Sequence, residues 1–339
     1  MPLFKIKPTY MIIAVTGANG HVGVNLCRKL IELGHEVRAF VHQKENGLQG
    51  IDVKVFRGNL LVKDDLKPFL KDTEIVFHLA ARISISGDDS GGVAMLNVEG
   101  TRNMLEAAKE ASVRRFIHFS SIHAFRQHPY HEPLDESRSL VKEDAFAYDR
   151  SKAEGENLVM QAAADGMDTL VLSPTAIVGP LDYEPGLMGQ AFLQIYHQQI
   201  PALVPGGYDM VDVRDVVAAA VSAIENGKKG EKYLLSGKWH SIRECSVLIA
   251  KFTGKETVRM EMPFWVATAG LPFILLYSTI MRRVPLYTWE SLTIIKNANK
   301  NISNQKARKE LGFDPRSIEE TIGDLFEWFK NNQFLKPAR

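Results

Sequence analysis

Ser121, Tyr148 and Lys152 are the side chains whose types and spacing most directly suggest chemistry. Tyr148 and Lys152 stand four residues apart in a segment of helical pattern, so both project from one face, about one turn apart. An ammonium that close favours the ionised phenolate and is expected to lower the phenol pKa toward working pH, as a general acid/base requires. The same lysine can reach the ribose of a nicotinamide cofactor. Ser121 follows the apolar run 115–119 (RFIHF), a predicted strand, and so stands at a carboxyl end, where doubly wound sheets place ligands. Its hydroxyl is expected to hydrogen-bond an oxygen whose charge changes during hydride transfer. Tyr148 would then protonate that oxygen in reduction and take the proton back in oxidation. Alone, a tyrosine and a lysine at this spacing mostly mark a solvated helix face; the rest of the chain gives the pair its weight.

A hydride needs a carrier, and residues 10–23 (YMIIAVTGANGHVG) read as its mooring. Residues 11–15 form an unbroken apolar run, as a strand covered on both faces requires, and helical period follows through Val22, Leu26, Leu30 and Leu33. Between them Gly17 permits a tight turn, Gly20 lets a phosphate approach the backbone, and Gly23 lets the helix pack closely on the strand. The helix N-terminus presents free N–H groups and partial positive charge to a pyrophosphate. Asn19, His21 and Val22 lie inside this cradle.

The following segments meet the rest of a dinucleotide. A second strand, 36–41 (EVRAFV), ends where an acid would accept from both ribose hydroxyls and select NAD; Val41 stands there instead, followed by His42 and Lys44. NADP is therefore favoured, with NAD as the alternative. A third strand, 52–56, leads to Asn59 and Leu60, which would pass under the adenine. A fourth, 74–79, runs into Leu79, Ala80 and Ala81, whose small side chains admit a cofactor close to the backbone.

Helices are expected at 64–70, 97–111 and 148–164, with a sixth strand at 168–172, a strand and helix within 206–223, and a strand at 232–235. The alternation predicts an α/β fold, a doubly wound parallel sheet of Rossmann type. After 236 helical patterns dominate, at 241–253, 303–311 and 318–330. The expected division is a dinucleotide-binding domain of 11–176 plus 206–236, and a smaller, mostly helical substrate lobe of 177–205 plus 237–330. Residues 84–92 read as a mobile loop. The loop 122–146 carries His123, His128 and His131, but their spacing matches no metal site.

At 339 residues and net charge +1, with no long basic run, the chain is large enough for two lobes and poorly suited to nucleic acid. Cys27 and Cys245, the only cysteines, suggest buried free thiols in a reducing compartment. Residues 1–10 lack the apolar core of a signal peptide, and a cytoplasmic protein acting on a small molecule is expected. Segment 263–281 (PFWVATAGLPFILLYSTIM) is uncharged and is followed by Arg282 and Arg283. Gly270 and Pro272 argue against a membrane span; a wall of the substrate lobe is the main expectation, with a weak membrane-surface contact left open.

The motifs together resemble the extended short-chain dehydrogenase/reductases of the NAD-dependent epimerase/dehydratase superfamily. They are TGANGHVG at 16–23, His78 to Ala81, NVEGT at 97–101, Phe119 to Ser121, YDRSK at 148–152 and PTAIVGP at 174–180. The similarity is nearest to the dihydroflavonol 4-reductase-like branch, which includes relatives of 3β-hydroxysteroid dehydrogenases. It implies a Ser121-Tyr148-Lys152 triad, further cofactor contacts at Asn59, Ala80, Pro174 and Ile177, and a homodimer in many members. Asn59 replaces the usual Asp beside adenine, and His42 replaces the arginine that binds the 2′-phosphate in NADP-using relatives.

The expectation is an NAD(P)-dependent reductase or dehydrogenase of a partly apolar substrate. Nucleotide-sugar epimerases share the scaffold and remain the alternative, although their usual acid at the second strand is missing. Dehydratases of the family carry an Asp-Glu pair where Ile122 and His123 stand here. A non-catalytic dinucleotide sensor would have no need of the triad.

Overall fold

The computed structural model describes residues 10–85, 87–88, 91–200, 202–258, 260–280 and 287–336. Short β-branched and aromatic runs become the strands of a seven-stranded sheet: β1 (Ile12–Thr16), β2 (Glu36–Val41), β3 (Lys54–Arg57), β4 (Ile75–His78), β5 (Arg115–Phe119) and β6 (Thr169–Pro174) are joined by a late strand at Lys232–Leu235. Two strands precede that one in the chain, β7 (Ala176–Val178) and β8 (Gly207–Asp212), so it is β9; β10 (Lys238–Ser241) follows. The large sheet runs β3-β2-β1-β4-β5-β6-β9, and every pairing in it is parallel. Because β1 connects to β2 on one side and pairs with β4 on the other, the strand order reverses there. A crevice opens beyond the carboxyl ends at that point.

Helices cover both faces. In chain order they are α1 (His21–Glu32), α2 (Lys63–Leu70), α3 (Gly92–Ala94), α4 (Gly100–Glu110), α5 (Ala147–Ala164), α6 (Leu187–Tyr196), α7 (Val213–Ser222), α8 (Ile242–Thr253), α9 (Phe264–Ile280), α10 (Trp289–Asn297), α11 (Gln305–Leu311) and α12 (Ile318–Asn331). Leu26 and Leu30 of α1 pack with Val216 and Ala220 of α7 against Ile13, Val15 and Phe77. On the other face Leu66, Met104 and Val159, from α2, α4 and α5, meet Ala14, Val76 and Phe116. Each large side chain so buried contributes roughly 1.5–3 kcal/mol.

The predicted helix at 97–111 starts earlier and is interrupted: α3 passes through a π-helical stretch, Met95–Glu99, before α4. Gly207–Asp212, assigned from sequence to the dinucleotide-binding domain, instead pairs with β7 and antiparallel with β10 in a separate three-stranded sheet. The chain returns to the large sheet only through α7. β7, β10, α6 and α10 were not anticipated as elements. The three-residue β7 and four-residue β10 are too short to show a period. Phe192, Ile249, Phe326 and Phe329 of α6, α8 and α12 fill the core beside this small sheet.

α9 spans most of the uncharged segment, with Pro272 inside it. Its Ala267 and Leu271 pack against Val204, Leu292 and Ile295, while Trp265, Phe273 and Ile280 are exposed. Among the described residues no helix is long and apolar enough to cross a membrane. Residues 1–9, Arg282 and Arg283, and residues 86, 89 and 90 of the expected loop lie outside the described residues. Cys27 and Cys245 are buried and free.

The closeness of α1 to β1 is testable. A Cβ at Gly23 would lie 2.2 Å from the Gly17 carbonyl oxygen. Gly23→Ala should therefore destabilise the fold by about 1–3 kcal/mol and lower the calorimetric Tm by several degrees. An unchanged Tm would show that the helix can retreat freely.

Candidate active site

The first turn after β1 forms the floor of a cavity of about 1090 Å³. Gly17 adopts φ +66°, and a Cβ there would sit 2.8 Å from the Ala80 nitrogen, so this turn lies against the chain leaving β4. Gly20 heads α1 without any side-chain cap. The only atom a Cβ at Gly20 would meet is the Gly17 carbonyl, so the space above the helix N-terminus is open to a ligand. Uncapped N–H groups beneath a side-chain-free opening fit a pyrophosphate. Every residue assigned to the cofactor from sequence lines this one cavity.

Their partners refine the picture. Asn19 Oδ1 accepts from Gly47 N at 2.8 Å and Asn59 Oδ1 from Leu61 N at 3.0 Å, so both amides brace loops. His21 Nε2 meets the Pro180 carbonyl at 3.0 Å. At the end of β2, His42 Nδ1 lies 3.2 Å from the Gly58 carbonyl. Lys44 is ion-paired with Glu184 at 2.9 Å, a partner that its own segment could not reveal.

A buried hydrogen-bond chain joins this cradle to Tyr148. Ala80 N donates to Thr16 Oγ1 (3.2 Å), which lies 2.8 Å from His78 Nδ1. His78 Nε2 lies 3.1 Å from Thr101 Oγ1, and that hydroxyl donates to the Asn97 carbonyl at 2.7 Å. With its proton already given to Asn97, Thr101 must accept from Nε2–H, and Thr16 must donate to Nδ1. Burial pushes His78 down to about 3, with Lys152 adding to the shift, so the ring is neutral as this order needs. From Asn97 the amide nitrogen donates to Ser151 Oγ at 2.9 Å, and Ser151 donates to the Tyr148 carbonyl at 2.7 Å. The π-helical stretch thereby anchors the first turn of α5.

On α5, Lys152 is buried and its Nζ donates to the Phe119 carbonyl at 2.6 Å, at the end of β5. Burial, only partly offset by Glu156, lowers the Lys152 pKa to about 8. The Tyr148 hydroxyl lies near that of Ser121, which accepts from His123 N at 3.2 Å. The sequence suggested a phenol made acidic by its neighbouring amine. Burial instead dominates and raises Tyr148 to about 12, the Ser121 hydroxyl pulling it back and the Asp149 charge adding to the rise. The ammonium is engaged by the Phe119 carbonyl, and the phenol holds its proton at neutral pH. His118, buried beside these groups, is pushed well below its ordinary value by burial and then by Lys152 and His78.

Beyond Tyr148 the cavity becomes apolar, walled by Leu96, Leu187, Phe192, Ile195, Val204 and Ile295. The wall comes from α6, α10, the π-helical stretch and the loop carrying Val204; segment 263–281, expected to form it, contributes no described lining residue, and Ala267 and Leu271 of α9 stand behind it. One acid interrupts it. Glu290 of α10 is buried, and burial followed by the Asp149 charge raises it to about 7. His123 Nδ1 lies 3.4 Å from Asp149 Oδ1 and shares this region. Sequence reasoning attached no role to Glu290 or Asp149, since neither stands in a recognisable spacing with Tyr148's strand partner. Among the described residues no three His, Cys, Asp or Glu side chains cluster as a metal site would.

Comparison with known proteins agrees with this geometry. The family model described as "NAD dependent epimerase/dehydratase family" matches residues 13–236. The chain is 33% identical over 329 residues to sterol demethylase protein B of Methylococcus capsulatus, covering 96% of this chain and 100% of that one. It is 30% identical over 335 residues to a provisionally named dihydroflavonol 4-reductase of Synechocystis sp., covering 95% of each. The crystal structure of gox2253 superposes with a TM-score of 0.82 at 29% identity, covering 96% of this chain and 99% of that one.

A buried lysine with a depressed pKa is held at the expense of stability. Between about 8 and 10.5 the unfolded chain holds the extra proton, so stability rises with pH across that window, and below it the penalty is fully present. Lys152→Met should therefore raise stability at pH 7 by on the order of 1–3 kcal/mol, an advantage over wild type that shrinks as pH approaches 10. Denaturant midpoints at both pH values measure this; a variant less stable at pH 7 contradicts it.

Proposed function

The chain belongs to the NAD dependent epimerase/dehydratase family, and within it we propose that this protein is an NADPH-preferring oxidoreductase interconverting a carbonyl and an alcohol on a largely apolar substrate. The observation that carries the reading is the position of the Ser121–Tyr148 hydroxyl pair at the seam where the glycine cradle ends and the apolar chamber begins. A bound nicotinamide supplies or accepts the hydride. Ser121 and Tyr148 hold the substrate oxygen between them. Tyr148, kept protonated by burial, donates its proton as negative charge develops on that oxygen. Lys152, fixed by Phe119, supplies the positive field under the cofactor ribose and the emerging phenolate. The division of labour we propose follows the two sheets: the seven-stranded layer holds the dinucleotide, and α6 and α10 with the small sheet hold the substrate.

The aliphatic and aromatic chamber supports an apolar substrate, and the relative named for sterol demethylation supports one of polycyclic size. A dinucleotide and such a substrate together suit a cavity at the upper end of the usual 300–1,000 Å³ range. A nucleotide-sugar epimerase is supported less well. Its substrate brings a diphosphate needing charge-assisted partners, and among the described residues Arg82 is the one Lys or Arg lining the chamber away from the cradle. For the cofactor, Val41 offers no carboxylate to the ribose, and the Lys44–Glu184 pair is exposed, so it yields readily to a 2′-phosphate.

Two measurements test this reading. Tyr148→Phe should lower NADPH-dependent reduction of a 3-ketosteroid at least about 100-fold while leaving NADPH affinity nearly unchanged; retained turnover sinks the proposal. In fluorescence titrations NADPH should bind more tightly than NADH, and Lys44→Ala should weaken NADPH by about fivefold without affecting NADH. Tighter NADH binding by the wild type reverses the cofactor preference.

A further inference from the structure

Each reduction by the proposed mechanism leaves Tyr148 as a phenolate in a site where burial strongly favours the phenol, and the proton must be replaced before the next turnover. The groups around that phenol differ in their access to water. Lys152 is sealed: its Nζ faces the Phe119 carbonyl, and its neighbours His78 and His118 are themselves buried, with both His78 nitrogens held by Thr16 and Thr101. Ser121 is buried and carries a single proton. His123 alone combines proximity with exposure. Its ring stands edge-on to the Tyr148 ring at a centroid separation of 6.1 Å, and 31% of its side chain is open to solvent.

We propose that His123, held by Asp149 and backed by Glu290, is the relay that returns a proton to Tyr148 after every reduction. This rests on Tyr148 being the general acid. In the relay step an N–H bond of the imidazolium breaks, the phenol O–H forms, and the neutral imidazole takes a proton from solvent, directly or by way of Glu290. Hydride oxidation of the reduced nicotinamide is complete by then, so the step moves one proton and no electrons.

The surroundings are arranged for this. Imidazole both gives and takes a proton near neutrality. The groups facing His123 are Ser121 at the end of β5, Tyr148 and Asp149 on α5, and Glu290 on α10. Asp149 Oδ1 lies 3.4 Å from His123 Nδ1. The His123 backbone is fixed by its N–H bond to Ser121 Oγ, so the ring cannot drift from the hydroxyl pair it serves. Glu290 of α10, raised to about 7 by burial and then by the Asp149 charge, supplies a proton near neutral pH. Glu290 and His123 both line the cavity, where their polar groups are costly to desolvate.

The test uses the full-length protein with NADPH and 5α-androstan-3-one. His123→Gln should give a first turnover close to that of wild type, one equivalent of NADPH per enzyme, followed by a steady state slowed at least about tenfold. Added imidazole should restore the steady state. His131→Gln, an exposed histidine of the same loop, should behave as wild type. A His123→Gln enzyme whose steady state is unchanged overturns the proposal, as does one whose first turnover falls equally and is not rescued. Failure of the underlying reading looks different: Tyr148→Phe would then turn over as fast as wild type.

Discussion

The site depends on one run of hydrogen bonds, from Ala80 through Thr16, His78 and Thr101 to Asn97, and from the Asn97 side chain through Ser151 to Tyr148. Each member is a donor to the next acceptor only while His78 stays neutral, and burial ensures that. The glycine turn after β1 and the helix α5 lie far apart in the chain. This run sets the distance between them without leaving a polar atom to search for water. Strand pairing of β1 with β4 supplies its first half, and the π-helical stretch supplies its second by turning Asn97 inward.

Around that frame the electrostatics are set by desolvation. His78 is pushed down, Lys152 is lowered to about 8, Tyr148 raised to about 12 and Glu290 raised to about 7, each principally by burial. Lys152 and Glu290 are thereby moved toward neutrality and Tyr148 and His78 away from it, and in all four the charged form is disfavoured. Glu290 brings a carboxyl to the cavity wall.

Much of this was legible in the sequence wherever the relevant contacts are local. The strand, glycine turn and helix at 11–33 could be read because period and turn chemistry lie within a few residues, and the Tyr148–Lys152 spacing shows which face they share. Ser121 was legible as the residue a strand delivers. The small sheet was not, because its strands are three to six residues long and acquire meaning only by pairing. The breadth of the expected helix at 97–111 concealed its π-helical stretch for a similar reason: the side-chain pattern barely changes while the backbone hydrogen bonds shift by one residue.

By itself, then, the amino-acid order determined the sheet class and the glycine turn between β1 and α1, because each of these is written in spacings shorter than one element. Tertiary structure alone decided the charge states and the partners. The pairing of Lys44 with Glu184, the engagement of Lys152 by Phe119 and the meeting of His123 and Asp149 with Glu290 join residues far apart in the chain. A pKa is set by how much water surrounding elements remove, and that quantity exists only once they have packed.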